Sequence, residues 1–292
     1  MHRQGLEAVE ALVTREREPY ETIHVSPLSP VVGAEIEGID LSADLSNHQF
    51  AEVRRALLEH HVLVFRDQQL SAEDHKRFGR RFGRLHVHPL QALRDGDNER
   101  LEVRASKNSK FVAGEGWHTD VTCDAEPPMG SLLYLEKTPE IGFGGDTLFA
   151  NMHLAYEMLS APMKAFLDPL TAVHDGAIPY VHGYGYAPNE TFQKNEHPVI
   201  ARHPETGRKL LYVNRGFTSH IVGLARFESA AVLEMLYRHI ENQPALTCRV
   251  RWTPNTLVFW DNRCTQHQAI WDYYPLDRGG HRVSIVGERP SA

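Results

Sequence analysis

From His24 onward the chain alternates apolar and polar positions and is rich in β-branched residues (HVSPLSPVVGAEIEGIDL), which predicts strands. A helical spacing follows. Phe50, Val53 and Leu57 fall on one face, and Ser46 stands where an N-cap would. The run VLVF, Val62 to Phe65, is short and wholly apolar and reads as a buried strand. A second helix is expected after Ser71, with Asp74 completing a weak capping box, and is expected to run through HKRFGRRFG. The middle of the chain is β-rich and loop-rich, with SLLYLEK, GGDTLFAN and a Gly/Tyr/Pro stretch, GAIPYVHGYGYAPNE. A third helix near residues 228–242 stacks Val232, Leu236 and Ile240, and the tail returns to strands in TCRVRW, TLVFWD and HRVSIVG. Helices flank strands without βαβ alternation, so a mainly antiparallel sheet is expected. Residues 1–22 are charged throughout and are expected to form a frayed leader. Residues 23–292 show no linker, repeat or low-complexity tract and are expected to form one domain.

Composition narrows the function classes. A chain of 292 residues can bury a core without disulfide or metal staples. Its formal net charge of −7 gives no electrostatic footprint for nucleic acid. Cys123, Cys248 and Cys264 are widely spaced and form no CxxC pair, which argues against a disulfide framework and a thiolate zinc site. No apolar signal core opens the chain, and no apolar run approaches the roughly 20 residues that span a bilayer. A cytoplasmic protein with no membrane or nucleic-acid partner is expected.

The candidate chemistry lies in GWHTDVT. On a strand, residues two apart share a face, so His118 and Asp120 could bind one ion together. With 18 histidines in 292 residues, about one His-x-Asp tripeptide is expected by chance, so the pair alone carries little. The C-terminal stretch TLVFWDNRCTQHQAIWDYYPLDRGGHRVSIVG adds His267 behind a strong strand, then Arg278 and Arg282. Two histidines and one carboxylate make the facial set of iron(II) oxygenases, and arginine suits a cosubstrate carboxylate.

With these residues in place, the sequence resembles the TauD/TfdA family, the taurine dioxygenase group. The matching stretches, in the family's order, are GAEIEGIDLS, FRDQQLS, RRFGRLHVHP, WHTDVT, GGDTLFAN, HPVIARHPETGRKLLYVN, WDNRCTQH and HRVSIVG, spanning residues 25–290. The resemblance implies a double-stranded β-helix, the cupin-like jelly roll, mainly β with flanking helices. It implies iron(II) on His118, Asp120 and His267, with 2-oxoglutarate and O₂ as cosubstrates. It puts Thr147 and Arg278 on 2-oxoglutarate, and Arg282 near both the cosubstrate and the substrate's anionic group. It implies His88 and Phe217 as substrate-pocket residues. From residues alone, His88 could equally cap a loop and Phe217 could be core. The implied reaction hydroxylates a small organic anion (a sulfonate, an alkyl sulfate ester, or a carboxylate such as an aryloxyalkanoate) and releases succinate and CO₂. The resemblance also implies a homo-oligomer, dimer or tetramer.

The chain departs from the taurine-specific pattern. Gln91 stands where those members carry Tyr, and Gly114, Glu115 and Gly116 stand where they carry an Asn. The segment between residues 172 and 197 is short for the family; its Tyr180, Tyr184 and Tyr186 could line a lid or merely pack a surface loop. Two other functions remain open on the residues: a metal-dependent hydrolase or isomerase, and a non-catalytic small-molecule binder on a cupin-like fold.

Overall fold

The computed structural model describes residues 3–89, 97–185 and 192–292. Its largest sheet has the order His24–Pro27, Ala34–Glu37, Val62–Phe65, Thr256–Asp261, Gly130–Lys137, Arg278–Ile285, Leu85–His86, with Leu101–Ala105 also paired to Arg278–Ile285. All pairings in it are antiparallel except Ala34–Glu37 with Val62–Phe65. A three-stranded sheet, Thr247–Val250, Thr147–Asn151 and Thr265–Ala269, supplies a second layer. Smaller ladders join Thr218–Ile221, Thr171–Asp175 and Lys194–Pro198, and Ile200–Arg202 with Lys209–Leu211. Together they make the expected mainly β, jelly-roll architecture.

The all-apolar strands follow from burial on both faces. Val62 and Val64 enter the core shared with Phe149, Ala150, Val258 and Trp260. Leu63 and Phe65 point the other way, into a second core with Leu132, Leu257, Phe259 and the helix residues Leu57 and Phe78. Each large apolar side chain buried this way stabilises the fold by roughly 1.5–3 kcal/mol. The two helices on the outer face are Asn47–His60 and Ala72–Arg80. Ser46 caps the first by accepting the Gln49 N–H at 3.1 Å. Ser71 and Asp74 form the capping box of the second. That helix stops at Arg80, three residues short of the Gly83 to which it was expected to run. The chain reaches Gly83 at φ +155°, outside helical space, and then enters the strand Leu85–His86.

The third helix, Arg226–Glu241, buries Leu236 and Ile240 as its spacing predicts, against the strand Thr218–Ile221. Within the charged leader the chain forms a helix, Arg3–Val13, whose Ala8, Val9 and Leu12 pack on the inter-sheet core near Met152–Glu157. Helices at Met152–Glu157 and Ala161–Leu167 have no counterpart in the sequence reading. Six and seven residues are too few for a 3.6-residue periodicity to declare itself. Among the described residues, no helix is long and apolar enough to cross a membrane.

Candidate active site

His118 does not sit in a strand. It makes one antiparallel bridge with His267, through His118 N–H to His267 O (3.0 Å) and His267 N–H to His118 O (2.8 Å). The chain turns at once, with Val121 at φ +49°, a conformation rarely tolerated by a β-branched residue. The expectation that strand alternation aims both ligands is therefore corrected: a turn aims Asp120. Asn262 holds that turn. Its Oδ1 accepts the Asp120 N–H (2.9 Å), and its Nδ2 donates to Asp120 O (3.0 Å) and Pro128 O (2.9 Å). Backbone groups that a strand would pair with a neighbour are satisfied by one side chain.

One donor atom each from His118, Asp120 and His267 lies within 4.8 Å of the others. Asp120 Oδ1 is 3.7 Å from His118 Nε2 and 3.9 Å from His267 Nε2. His118 Nδ1 pairs with Gly116 O at 2.8 Å and must donate there, which leaves Nε2 with a free lone pair. Ser131 Oγ donates to Asp120 Oδ2 (2.8 Å), and Arg282 Nη1 donates to Asp120 Oδ1 (2.6 Å). Burial alone would raise the Asp120 carboxyl; Arg282, then His267 and His118, outweigh it and hold the group well below the usual carboxylate range. Burial pushes His267 well below the ordinary imidazole value, and His118 adds to this. The cluster thus presents one carboxylate and a neutral buried imidazole. Gly216 lets the backbone pass close by, since a Cβ there would stand 2.7 Å from His118 Cβ. At Gly114, with φ +82°, a Cβ would meet His118 Cε1 at 3.0 Å, so any side chain at this position would press on the cluster.

The three side chains open onto a cavity of about 680 Å³, within the usual range for small-molecule sites. Thr147, Arg278 and Arg282 line it. Arg278 is buried, its Nη2 donates to Thr147 Oγ1 at 3.3 Å, and its Nε has no partner. No ion pair among the described residues involves it. Burial lowers its pKa, the sign of a guanidinium poorly solvated and short of counter-charge. Trp252 sits beside it, with its ring centroid 5.3 Å from the guanidinium carbon and its Nε1 donating to Thr147 at 3.0 Å.

His88 and Phe217 also line the cavity, and both are buried. Burial, then Arg282, lowers His88 to about 3, so it is neutral at physiological pH. Its Nε2 lies 3.4 Å from Tyr180 Oη. Tyr180 and Tyr184 lie on and just after the π-helical turn Ile178–Gly183 and face the same space. Tyr184 Oη accepts the Gly114 N–H (3.1 Å), and its ring stacks on Phe111 at 4.9 Å. That turn therefore roofs the cavity. Gln91 and Tyr186 lie outside the described residues.

Ser131, Trp252 and Asn262 belong to the site without being among the residues that the sequence motifs single out. Asn262 had a signal: an Asn just past a strong strand, five residues before His267, is a turn-forming residue placed to bond backbone. Ser131 lies in the apolar strand Gly130–Lys137 and Trp252 just beyond Thr247–Val250, with nothing in the sequence to mark either.

The family model described as taurine catabolism dioxygenase TauD, TfdA family matches residues 24–286. An alpha-ketoglutarate-dependent sulfonate dioxygenase of Saccharomyces cerevisiae is 33% identical over 282 residues, covering 92% of this chain and 68% of the relative. An alkylsulfatase of Acinetobacter baylyi is 34% identical over 289 residues, covering 95% and 89%. The crystal structure of a taurine dioxygenase from Burkholderia xenovorans superposes with TM-score 0.80 at 38% identity, covering 93% of each chain.

Proposed function

The chain belongs to the TauD/TfdA family, and from that premise we propose that it hydroxylates an organic anion with an apolar body, such as an alkyl or arylalkyl sulfate or sulfonate. As a family member it is an iron(II)- and 2-oxoglutarate-dependent dioxygenase that consumes O₂. The hydrolase and the non-catalytic binder lose their ground with that membership.

The residue assignments rest on fit. Two imidazoles and one carboxylate facing a cavity make the open donor set that iron(II) oxygenases use. The carrying observation for the cosubstrate is Arg278, a buried guanidinium without an ion pair. Leaving such a charge uncompensated costs several kcal/mol, so a site that keeps one is suited to an incoming carboxylate. We assign Arg278 and Thr147 to the far carboxylate of 2-oxoglutarate. Iron held by His118, Asp120 and His267, with 2-oxoglutarate bound, would supply the oxygen activation, with succinate and CO₂ as the by-products. The protein's own contribution is positional. Ser131 and Arg282 keep Asp120 ionised and fixed, Asn262 holds its backbone, and the π-helical turn covers the cavity, with Tyr184 tied to Gly114. Arg282 then presents its remaining N–H groups to the substrate's anionic head, with His88 beside it as a neutral imidazole.

The substrate class follows from the walls. Leu101, Val103, Phe111, Tyr180 and Phe217 offer apolar surface to a body larger than a two-carbon amine. Each buried methylene adds about 0.8 kcal/mol, roughly fourfold in affinity. Three unpaired, buried thiols agree with a reducing cytoplasm. The test is succinate release across a panel from taurine to medium-chain alkyl sulfates and aryloxyalkanoates. The expected result is kcat/KM rising with chain length; taurine as the preferred substrate would sink the assignment.

A further inference from the structure

A second group of donors lies outside the cavity just described. His61, His153 and Cys264 are all buried, and one donor atom from each falls within 4.8 Å of the others. None of the three lines the cavity. We propose that they form a closed, second metal site for a soft cation of the Cu(I) class, distinct from the His118/Asp120/His267 cluster.

Four observations carry this. First, His61 Nδ1 stands 3.5 Å from Cys264 Sγ. Bonds of about 2.0 Å to nitrogen and 2.3 Å to sulfur at a near-tetrahedral angle span about that distance. Second, His153 is oriented as metal-bound imidazoles are. Its Nδ1–H donates to Lys209 O at 2.8 Å, so Nε2 keeps its lone pair, and that atom is buried with no hydrogen-bond partner. Third, His61 closes the helix Asn47–His60 at φ +66°, a left-handed position where glycine would be unstrained. A histidine held there has its ring directed into the protein interior, 5.3 Å from that of His153. Fourth, neighbouring groups are already committed. His203 Nδ1 accepts the Glu205 and Thr206 N–H groups, and its Nε2 donates to Asp261 Oδ2 at 3.0 Å. Asp261 is also gripped by Arg263 at 2.7 and 2.8 Å. Among the described residues of this group, that leaves the unpartnered His153 Nε2 and the mutually bonded His61 and Cys264, whose thiol also reaches Asp261 O at 3.9 Å.

The charge balance selects the metal. Two neutral imidazoles and one thiolate carry one negative charge, which a monovalent soft ion cancels without leaving net charge in the core. Burial, then Asp261, holds the Cys264 thiol well above its ordinary range, and Arg263 and Arg208 offset this only in part, so it is the ion itself that must displace the thiol proton.

The experiment uses the full chain under anaerobic, reducing conditions, with Cu(I) as the probe. Wild type should bind one Cu(I) tightly with a thiolate-to-copper charge-transfer band and one sulfur in its X-ray absorption shell. His118→Ala should keep that signal. Cys264→Ser should lose the sulfur. His61→Gly, which removes a ligand while relaxing the backbone, should fold normally and lose tight binding. Failure of wild type to bind Cu(I), unchanged binding in folded His61→Gly, or loss of the signal in His118→Ala would each overturn the proposal.

Discussion

Two histidine clusters share one stretch of chain and differ in what surrounds them. The turn Asp261 to Cys264 and the strand Thr265–Ala269 give Cys264 to one cluster and His267 to the other. The cluster with His267 pairs imidazoles with a carboxylate, balances it with Arg282 and faces a cavity of about 680 Å³. The cluster with Cys264 pairs imidazoles with a thiol and faces packed protein. An open donor set with a hard oxygen ligand leaves room for cosubstrates; a closed set with a soft ligand can serve only structure. Proximity of donors is common to both, so it is access and ligand hardness that separate a reactive site from a structural one.

The sharpest way to break the comparison is to remove a donor from each cluster in turn. Asp120→Ala should abolish succinate release while far-UV circular dichroism stays native, and Cys264→Ser should keep measurable turnover. Equal losses from both would mean that the clusters are not separable. Arg278→Gln comes next. Truncating one partner of a buried charge pair costs about 2–5 kcal/mol, so the KM for 2-oxoglutarate should rise roughly 30-fold or more, with smaller change in substrate KM. Arg282→Ala removes charge-assisted hydrogen bonds of about 1.5–3 kcal/mol each, and it should raise the KM for the organic substrate and, through the lost Asp120 contact, weaken iron binding as well. Normal substrate KM in that variant would refute the placement of the anionic head.

Acid should act on both clusters alike. His153 in the closed one and His88, which lines the cavity in front of the open one, are each lowered to about 3 by burial, against an ordinary value of 6.5. With folded values below unfolded ones, the unfolded chain binds the extra protons. Their stability is therefore intact above pH 6.5 and is lost as pH falls from 6.5 toward 3, at up to about 1.4 kcal/mol per pH unit for each group. Denaturant unfolding at pH 7 and pH 5 measures it, and His153→Gln should flatten the slope by close to one proton. The smallest effect belongs to His61→Gly. Relief of the left-handed strain should raise metal-free stability by about 1 kcal/mol, read as a higher urea midpoint. A lower midpoint would show that the His61 ring contributes more by packing than its backbone costs.

Much of this was legible in the chain itself. Alternation and apolar runs located the principal strands, Ser46 and Ser71 announced two helix starts, and the ordered motif boxes carried the family and its dioxygenase chemistry. These signals are local or sequential, with periods and caps that a few residues specify. What the chain could not declare was contact between distant segments. Asp120 owes its aim to Asn262 and its charge state to Arg282, each well over a hundred residues away. The same holds for His61, His153 and Cys264, which have no shared motif and meet only because the helix end, the short helix after Asn151 and the turn after Asp261 pack together. Spacing along a sequence fixes periodic faces, but which faces meet, and which donors are left without partners, is settled only when the sheets close.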